Sequence, residues 1–435
     1  MHNNIWGKLG SKSLVARLWE NQSADFHIDE DKPYAELWIG STHPNGMSTI
    51  ILTSQAKDTP YQDEIPLLAH VQNDAKLHLG MTQEGTKQSD LTFLFKVLSI
   101  GKTLAIQAHP DKSLATQLHK ERPSVYKDSN HKPEMAVSIC DDFEALVGFR
   151  PISELVDNLK KYPEFLEVVS PSIGPDNANN EKGAHIFDND DDHDQDPKLT
   201  LKDLMHRYMT ADELLVRRQL NCLVEKLHKK HQEGDIMSSL DALIMKLSQQ
   251  YPGDRGAFGP ILFNHLKLKK GEAVYIDANE PHAYIQGDIL ECMACSDNVV
   301  RAGLSNKLKD TDTLVQMLTY NNAVPKITRG VQIDMYTTLF APPPPVNDFA
   351  MEVIQIPSGS RYILKRVQSP SVLLILEGSA TLWQMDGTSL HVSFGHAAFM
   401  SVNTTATVIT GEGGDRNRDQ DQGVMIVRAL KNVYI

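Results

Sequence analysis

The chain has 435 residues, room for roughly two to four domains at the usual domain size. Its 43 basic and 56 acidic residues leave a formal net charge of −13 and a pI near 5.7. That balance disfavours nucleic acid and anionic membranes as partners, and it obliges any phosphorylated substrate to meet a local basic pocket. No apolar run approaches the roughly 20 residues of a membrane span, and Val372 to Leu376 is the longest strong one. The Met1-His2-Asn3-Asn4 start lacks a signal-peptide core, and four cysteines do not make a disulfide scaffold. A cytoplasmic location is therefore expected.

Residues 1 to 100 read as short strands and turns. The clearest strands are Ala35 to Gly40 and Leu91 to Leu98, and the clearest turn is Thr42-His43-Pro44-Asn45-Gly46. Gly101-Lys102-Thr103 imitates the end of a phosphate-binding loop, but Lys96 stands where the first glycine belongs and a strand pattern follows, so that reading is rejected. From Leu104 to Pro110 the chain alternates, with Leu104, Ile106 and Ala108 on one face and Ala105, Gln107 and His109 on the other. Further on, Pro133 biases Lys132 to extended backbone, which puts Lys132 and Glu134 on one side of the chain. An amide oxygen, an imidazole and a carboxylate then come from two strands, three of the four donors of a tetrahedral zinc site.

At Pro151 the period changes. Ile152, Leu155, Val156 and Leu159 repeat with helical spacing, as do Val216, Leu220, Leu223 and Leu227, and then Ile236, Leu240, Leu243 and Leu247. Between them, Asp176 to Pro197 carries the like-charge block Asp188 to Asp196, read as a solvated loop; calcium binding would need the glycine-containing register of an EF-hand, which is missing. Strands resume near Ile261. Gly271 to Tyr284 reads as strand, turn and then His282, fixed in extended geometry after Pro281. One histidine among 17 is more often a satisfied polar group than a ligand, yet His282 joins His109, Gln107 and Glu134 as a fourth donor.

The run Gln286-Gly287-Asp288 is flanked by strand-like residues and predicts a hairpin, which would make His282, Tyr284 and Glu291 close neighbours. Cys292 and Cys295 are three apart in a strand-like run, so they face opposite sides and read as core thiols. Helical residues around Asp310 to Thr319 precede a stiff connector, Ala341 to Pro345. Residues 350 to 435 alternate again, with turns at Glu377-Gly378 and Asp386-Gly387, and predict a second small barrel; His391 and His396 have no partner at ligand spacing there, so the domain is assigned to packing.

Several of these stretches carry a family resemblance. Gln107-Ala108-His109-Pro110-Asp111-Lys112, Tyr126 to Glu134, Pro281-His282-Ala283-Tyr284 and Glu291 to Gly303 resemble type I phosphomannose isomerases, as do Tyr34 to Trp38 and Tyr251 to Asp254. The resemblance runs over most of the chain in the family's order. It implies a mainly β fold of two cupin-type, jelly-roll barrels with an α-helical insertion. The expected division is a catalytic unit of residues 1–150 and 262–335, a helical unit of 151–261 with its acidic loop 176–197, and a C-terminal cupin-like unit of 336–435. It further implies one zinc ion per chain, held by Gln107, His109, Glu134 and His282, and interconversion of mannose 6-phosphate and fructose 6-phosphate, feeding GDP-mannose synthesis. Gln107 as a ligand rests mainly on the resemblance. Two departures touch substrate contacts: Asn4 stands where the family usually has an aromatic, and Ser305-Asn306 replaces a threonine-proline before Lys307.

The residue types suit the chemistry. Moving a carbonyl between C1 and C2 of a sugar builds negative charge on oxygen, and a Lewis acid there is the direct remedy. Arg301 lies in the apolar run Val299 to Leu304, where an unpaired charge would cost several kcal/mol, on the order of known buried-ion penalties, so an anion should meet it. The plain reading is a salt bridge to Glu291; the functional one is contact with the substrate's phosphate or developing enediolate, and in the family the matching arginine is catalytic. Lys307 matches a family lysine near the phosphate, though on its own it reads as a surface lysine. Lys132, Tyr284 and Glu291 are unranked candidates for proton transfer. The competing readings are a catalytically silent cupin that binds a sugar phosphate and an Fe(II) oxygenase with a two-histidine, one-carboxylate triad. Gln107 and the basic pair Arg301 and Lys307 argue against the latter. A small-molecule sugar phosphate is the expected partner, and a monomer rather than an obligate oligomer the expected state.

Overall fold

The computed structural model describes residues 1–41, 48–53, 62–80, 90–171, 197–411 and 423–434. The expected turn Thr42 to Gly46 and the acidic segment 176–196 lie outside them. The fold is mainly β with an α-helical insertion, as the resemblance implies.

The first sheet has ten strands and is organised around one of them, His282–Ala294, 13 residues long. Its first half pairs with Phe143–Phe149, and its second half runs between Phe93–Ile100 and Glu134–Ser138. The expected hairpin at Gln286 to Asp288 is therefore absent. Gly287 adopts a φ of +114°, but it bends the strand instead of reversing it. The register slips by one residue between Tyr284 and Gln286, a bulge that inverts side-chain parity. Before it, His282 and Tyr284 face the barrel interior; after it, Ile289 and Glu291 do, while Leu290 and Cys292 turn to the outer core.

Phe93–Ile100 is buried along its whole length, which explains its almost uninterrupted apolar sequence. Phe93, Phe95 and Val97 pack outward, and Leu98 and Ile100 inward beside Lys96.

Helices Ile152–Lys161, Pro163–Val169, Pro197–Thr210, Glu213–Gln232 and Ser239–Gln250 form the insertion. Their apolar stripes, including Leu155, Leu159, Val216, Leu220, Leu223 and Leu227, close one core with Ile106, Ala108, Phe149 and Ile285 of the barrel. Each such side chain contributes roughly 1.5–3 kcal/mol of burial. The stripe expected from Ile236 starts later. Ser238 caps the last helix through the backbone N–H of Asp241, so Ile236 precedes the helix and is 99% exposed.

A six-stranded and a four-stranded sheet pack face to face, and two strands of the larger one, Val331–Gln332 and Thr337–Phe340, come before the expected connector, which therefore lies within this barrel. Ile354, Leu373, Ile375 and Ile426 of the first meet Leu364, Leu382, Val392 and Val408 of the second. The other face of the six-stranded sheet presents Met351, Val372, Leu374 and Val427 to Phe93, Phe95, Val97 and Leu290. One continuous core thus joins the two barrels. His396 lies half-buried and accepts the Ser393 backbone N–H, and His391 stands exposed on the outer sheet. Cys292 is buried, and Cys295, just past the strand end, is half-buried.

Candidate metal centre

The site is assembled by register. Gln107 sits opposite His282 on one side and Arg301 on the other. In the neighbouring part of the sheet, Trp38 pairs with Lys96, and Lys96 with Glu291. Glu134 begins its strand opposite Met293 and Ile276. The bulge in His282–Ala294 is what lets both rows face one cleft, of about 1410 Å³.

At its floor, ligand atoms of His109, Glu134 and His282 lie within 4.8 Å of one another, all three side chains buried. The His109 Nδ1 donates to the Asn298 carbonyl at 2.7 Å, and the His282 Nδ1 to the Glu280 carbonyl at 3.0 Å. Those bonds fix the tautomer, so each Nε2 offers a lone pair inward. Each Nε2 approaches a Glu134 carboxylate oxygen at 3.3 Å. His109 Nε2 and Glu134 Oε2 have no hydrogen-bond partner. The Gln107 carboxamide nitrogen is 3.5 Å from His282 Nε2, and half a turn of the amide would present its oxygen instead.

Burial lowers the His109 pKa to about 4, helped by the Lys132 charge, so the ring is neutral. Burial alone would raise Glu134, but Lys132, 2.9 Å away, and the two imidazoles hold it well below the usual carboxylate range. Two imidazoles that turn Nε2 inward around an ionised carboxylate, with inward-facing atoms unsatisfied, are the donor set a divalent cation takes.

Above this floor, Lys96 is buried, 2.9 Å from Glu291 and over the Trp38 ring at 4.6 Å. Burial would lower its pKa, but Glu291, Glu36 and Glu134 outweigh that and raise it. Burial and the carboxylates of Glu291 and Glu134 push Tyr284 well above its ordinary value; its hydroxyl is buried without a hydrogen-bond partner. The salt bridge to Glu291, the plainer of the two readings of Arg301, does not form, because register commits Glu291 to Lys96. Half-buried Arg301 has no carboxylate partner among the described residues and is depressed by burial alone. Lys307 is exposed on the cleft rim.

The structure thus gathers Gln107, His109, Lys132, Glu134, His282, Tyr284, Glu291 and Arg301, with Lys307 at the edge. It adds Lys96, Trp38 and Glu36, which sequence reasoning missed as site residues. A lone lysine in the fully buried run Phe93 to Ile100 was the available signal for the first.

A buried histidine, glutamate, histidine group under an open cleft of a cupin-type sheet defines a metal-dependent barrel enzyme. Family models for type I phosphomannose isomerase match three parts of the chain: catalytic domain over residues 1–152, helical insertion domain over 173–263 and C-terminal part over 339–385. Mannose-6-phosphate isomerase 1 of Arabidopsis thaliana is 39% identical over 399 residues, covering 92% of this chain and 87% of its own. The Homo sapiens mannose-6-phosphate isomerase is 40% identical over 380 residues, covering 86% and 85%. The solved mannose 6-phosphate isomerase of Salmonella typhimurium, bound to fructose 6-phosphate and zinc, is 26% identical with a TM-score of 0.75, covering 99% of this chain and 97% of its own. The chain belongs to the type I phosphomannose isomerase family. Among the described residues, no helix is long and apolar enough to cross a membrane.

Proposed function

We propose that the chain is a zinc-dependent aldose-ketose isomerase that interconverts mannose 6-phosphate and fructose 6-phosphate, as its relatives' names indicate. The observation that carries this reading is the buried His109, Glu134, His282 group at the cleft floor, in which His109 Nε2 and Glu134 Oε2 are left unsatisfied. These residues, with the Gln107 oxygen as a fourth donor, would hold one zinc per chain. Zinc bound there supplies a Lewis acid that favours negative charge on a sugar oxygen.

The reaction removes the C2 proton of the aldose and returns a proton to C1, with the matching O–H shift, so no co-reactant is consumed. Glu134 belongs to the ligand group, Lys132 is engaged with it at 2.9 Å and Tyr284 is kept protonated, so we assign to Glu291, ion-paired with Lys96, the transfer of the proton between carbons. Tyr284 donates a hydrogen bond to a sugar oxygen. Lys132, buried beside Glu134, offers a second donor there. Arg301, with no carboxylate partner among the described residues, answers the negative charge of the enediolate, and Lys307 receives the phosphate at the rim. This local basic pair resolves the conflict between an anionic substrate and an overall acidic chain.

The chain division given above, a monomeric state, a cytoplasmic location and a place before GDP-mannose synthesis belong to the same reading. Chelation is expected to abolish isomerisation and zinc to restore it. In D₂O the active protein should exchange the C2 proton of mannose 6-phosphate. Saturable sugar-phosphate binding with no exchange would establish the silent cupin instead.

A further inference from the structure

We infer that Asn298 is a positioning residue for the metal centre, setting the His109 ring through its own carbonyl; the inference rests on the zinc reading above. Asn298 is 1% exposed and touches no part of the proposed reaction. The strand Ile106–Ala108 ends one residue before His109, so no ladder partner fixes that ring. Its Nδ1–H bonds to the Asn298 carbonyl, 189 positions away in sequence, at 2.7 Å. His282 differs, because its Nδ1 partner is the carbonyl of Glu280, two residues before it.

What holds the Asn298 carbonyl is the rest of the residue. Its side-chain amide donates to the Asp128 carbonyl at 2.7 Å, to Asp128 Oδ1 at 3.2 Å and to the Asn130 carbonyl at 3.2 Å. Its backbone N–H donates to Ser296 Oγ, which itself donates to the Asn130 carbonyl. Asp297 N–H to Asp128 Oδ2 and Asn130 Nδ2 to the Cys295 carbonyl complete the lacing. The loop that leads into Glu134 and the loop that leads into Arg301 are therefore tied to each other and to His109 at one buried amide. Only an amide fits. A carboxylate at 298 would face Asp128 and two carbonyls, and alanine would take its donor from the Asp128 carbonyl and leave the Asn130 carbonyl to Ser296 alone.

The test is zinc affinity of the full chain, measured by equilibrium competition with a chromophoric chelator, together with the visible spectrum of the cobalt-substituted protein. Asn298→Ala is expected to raise the zinc dissociation constant about 10- to 100-fold, the usual effect of losing a residue that orients a ligand, and to shift the cobalt bands. Leu382→Ala, a cavity in the C-terminal core, should lower thermal stability but leave both readouts at the wild-type value, which separates positioning from general destabilisation. Should Asn298→Ala fail to fold, Asp128→Ala removes Oδ1, one acceptor of the Asn298 amide, and Oδ2, which holds the Asp297 N–H, and should weaken zinc several-fold. A zinc constant within about twofold of wild type in whichever of these variants folds overturns the inference. A wild-type chain that binds no zinc overturns the reading it rests on.

Discussion

The two barrels both bury an ion pair, and they treat it in opposite ways. In the C-terminal barrel Arg428, 1% exposed, donates to Ser371 Oγ at 2.9 Å and the Lys365 carbonyl at 2.8 Å, and sits 3.5 Å from Glu352, whose other oxygen accepts the Tyr434 hydroxyl. That polar group is closed on itself. In the N-terminal barrel the pairs Lys96–Glu291 and Lys132–Glu134 surround atoms left open: His109 Nε2, Glu134 Oε2 and the Tyr284 hydroxyl. Leaving a buried polar atom unmade costs about 1–3 kcal/mol, so a fold that keeps several in one place holds them for something not made of protein. Burial of charge alone would have marked both barrels as functional; satisfaction of that charge separates them.

That contrast can be broken by mutation. The largest effect is expected from His282→Ala, which removes a ligand from the open group: metal content should fall to near zero and isomerase activity with it, checked by metal analysis of the purified chain. Arg428→Ala strands Glu352 in the closed group and should destabilise the protein by about 3–5 kcal/mol. Denaturant titration reads that loss, while zinc content and kcat of the folded fraction stay at wild type. Arg301→Ala lies between the two. It should depress kcat about 10²- to 10³-fold, the usual effect of losing one donor to developing negative charge, and keep its zinc. Metal loss in Arg301→Ala equal to that in His282→Ala would make Arg301 part of the scaffold and erase the distinction.

Much of the open group was legible because short-range rules place it. Period-two alternation puts Gln107 and His109 on one face, and Pro133 sets Lys132 beside Glu134, where the structure finds them 2.9 Å apart. The helical stripes were legible for the same reason. What sequence could not supply was register across strands. Gln286-Gly287-Asp288 has the composition of a hairpin turn, and a positive-φ glycine serves a bulge equally well; only the pairing of Tyr284 with Ala145 and Gln286 with Glu144 decides. Likewise the choice of Lys96 over Arg301 as partner for Glu291 follows from which residue lies opposite it, 195 positions away. Asn298 was visible within a motif, but its role depends on a carbonyl meeting His109 across the fold.

The smallest effect is one of acidity, and it sharpens the comparison because it should originate in the open group. Burial keeps the folded His109 pKa near 4, against an ordinary value of 6.5. Above pH 6.5 the ring is neutral in folded and unfolded chains alike and contributes no pH dependence. Between pH 6.5 and about 4 the unfolded chain takes up a proton that the fold refuses, so stability falls as pH falls. At about 1.4 kcal/mol per tenfold change in acidity, the full span amounts to about 3 kcal/mol. Glu134, held below its ordinary value, adds a loss in the same direction only as pH drops beneath the usual carboxylate range. Denaturant midpoints of the metal-free protein at pH 7 and pH 5 measure the first of these. Because His70, His78 and His396 are also lowered by burial, the decisive quantity is the difference from His109→Gln, which should lose stability less steeply over that interval. Equal slopes would mean that the His109 ring is free to charge in the folded protein, and the group at the cleft floor would then be as closed as the one around Arg428.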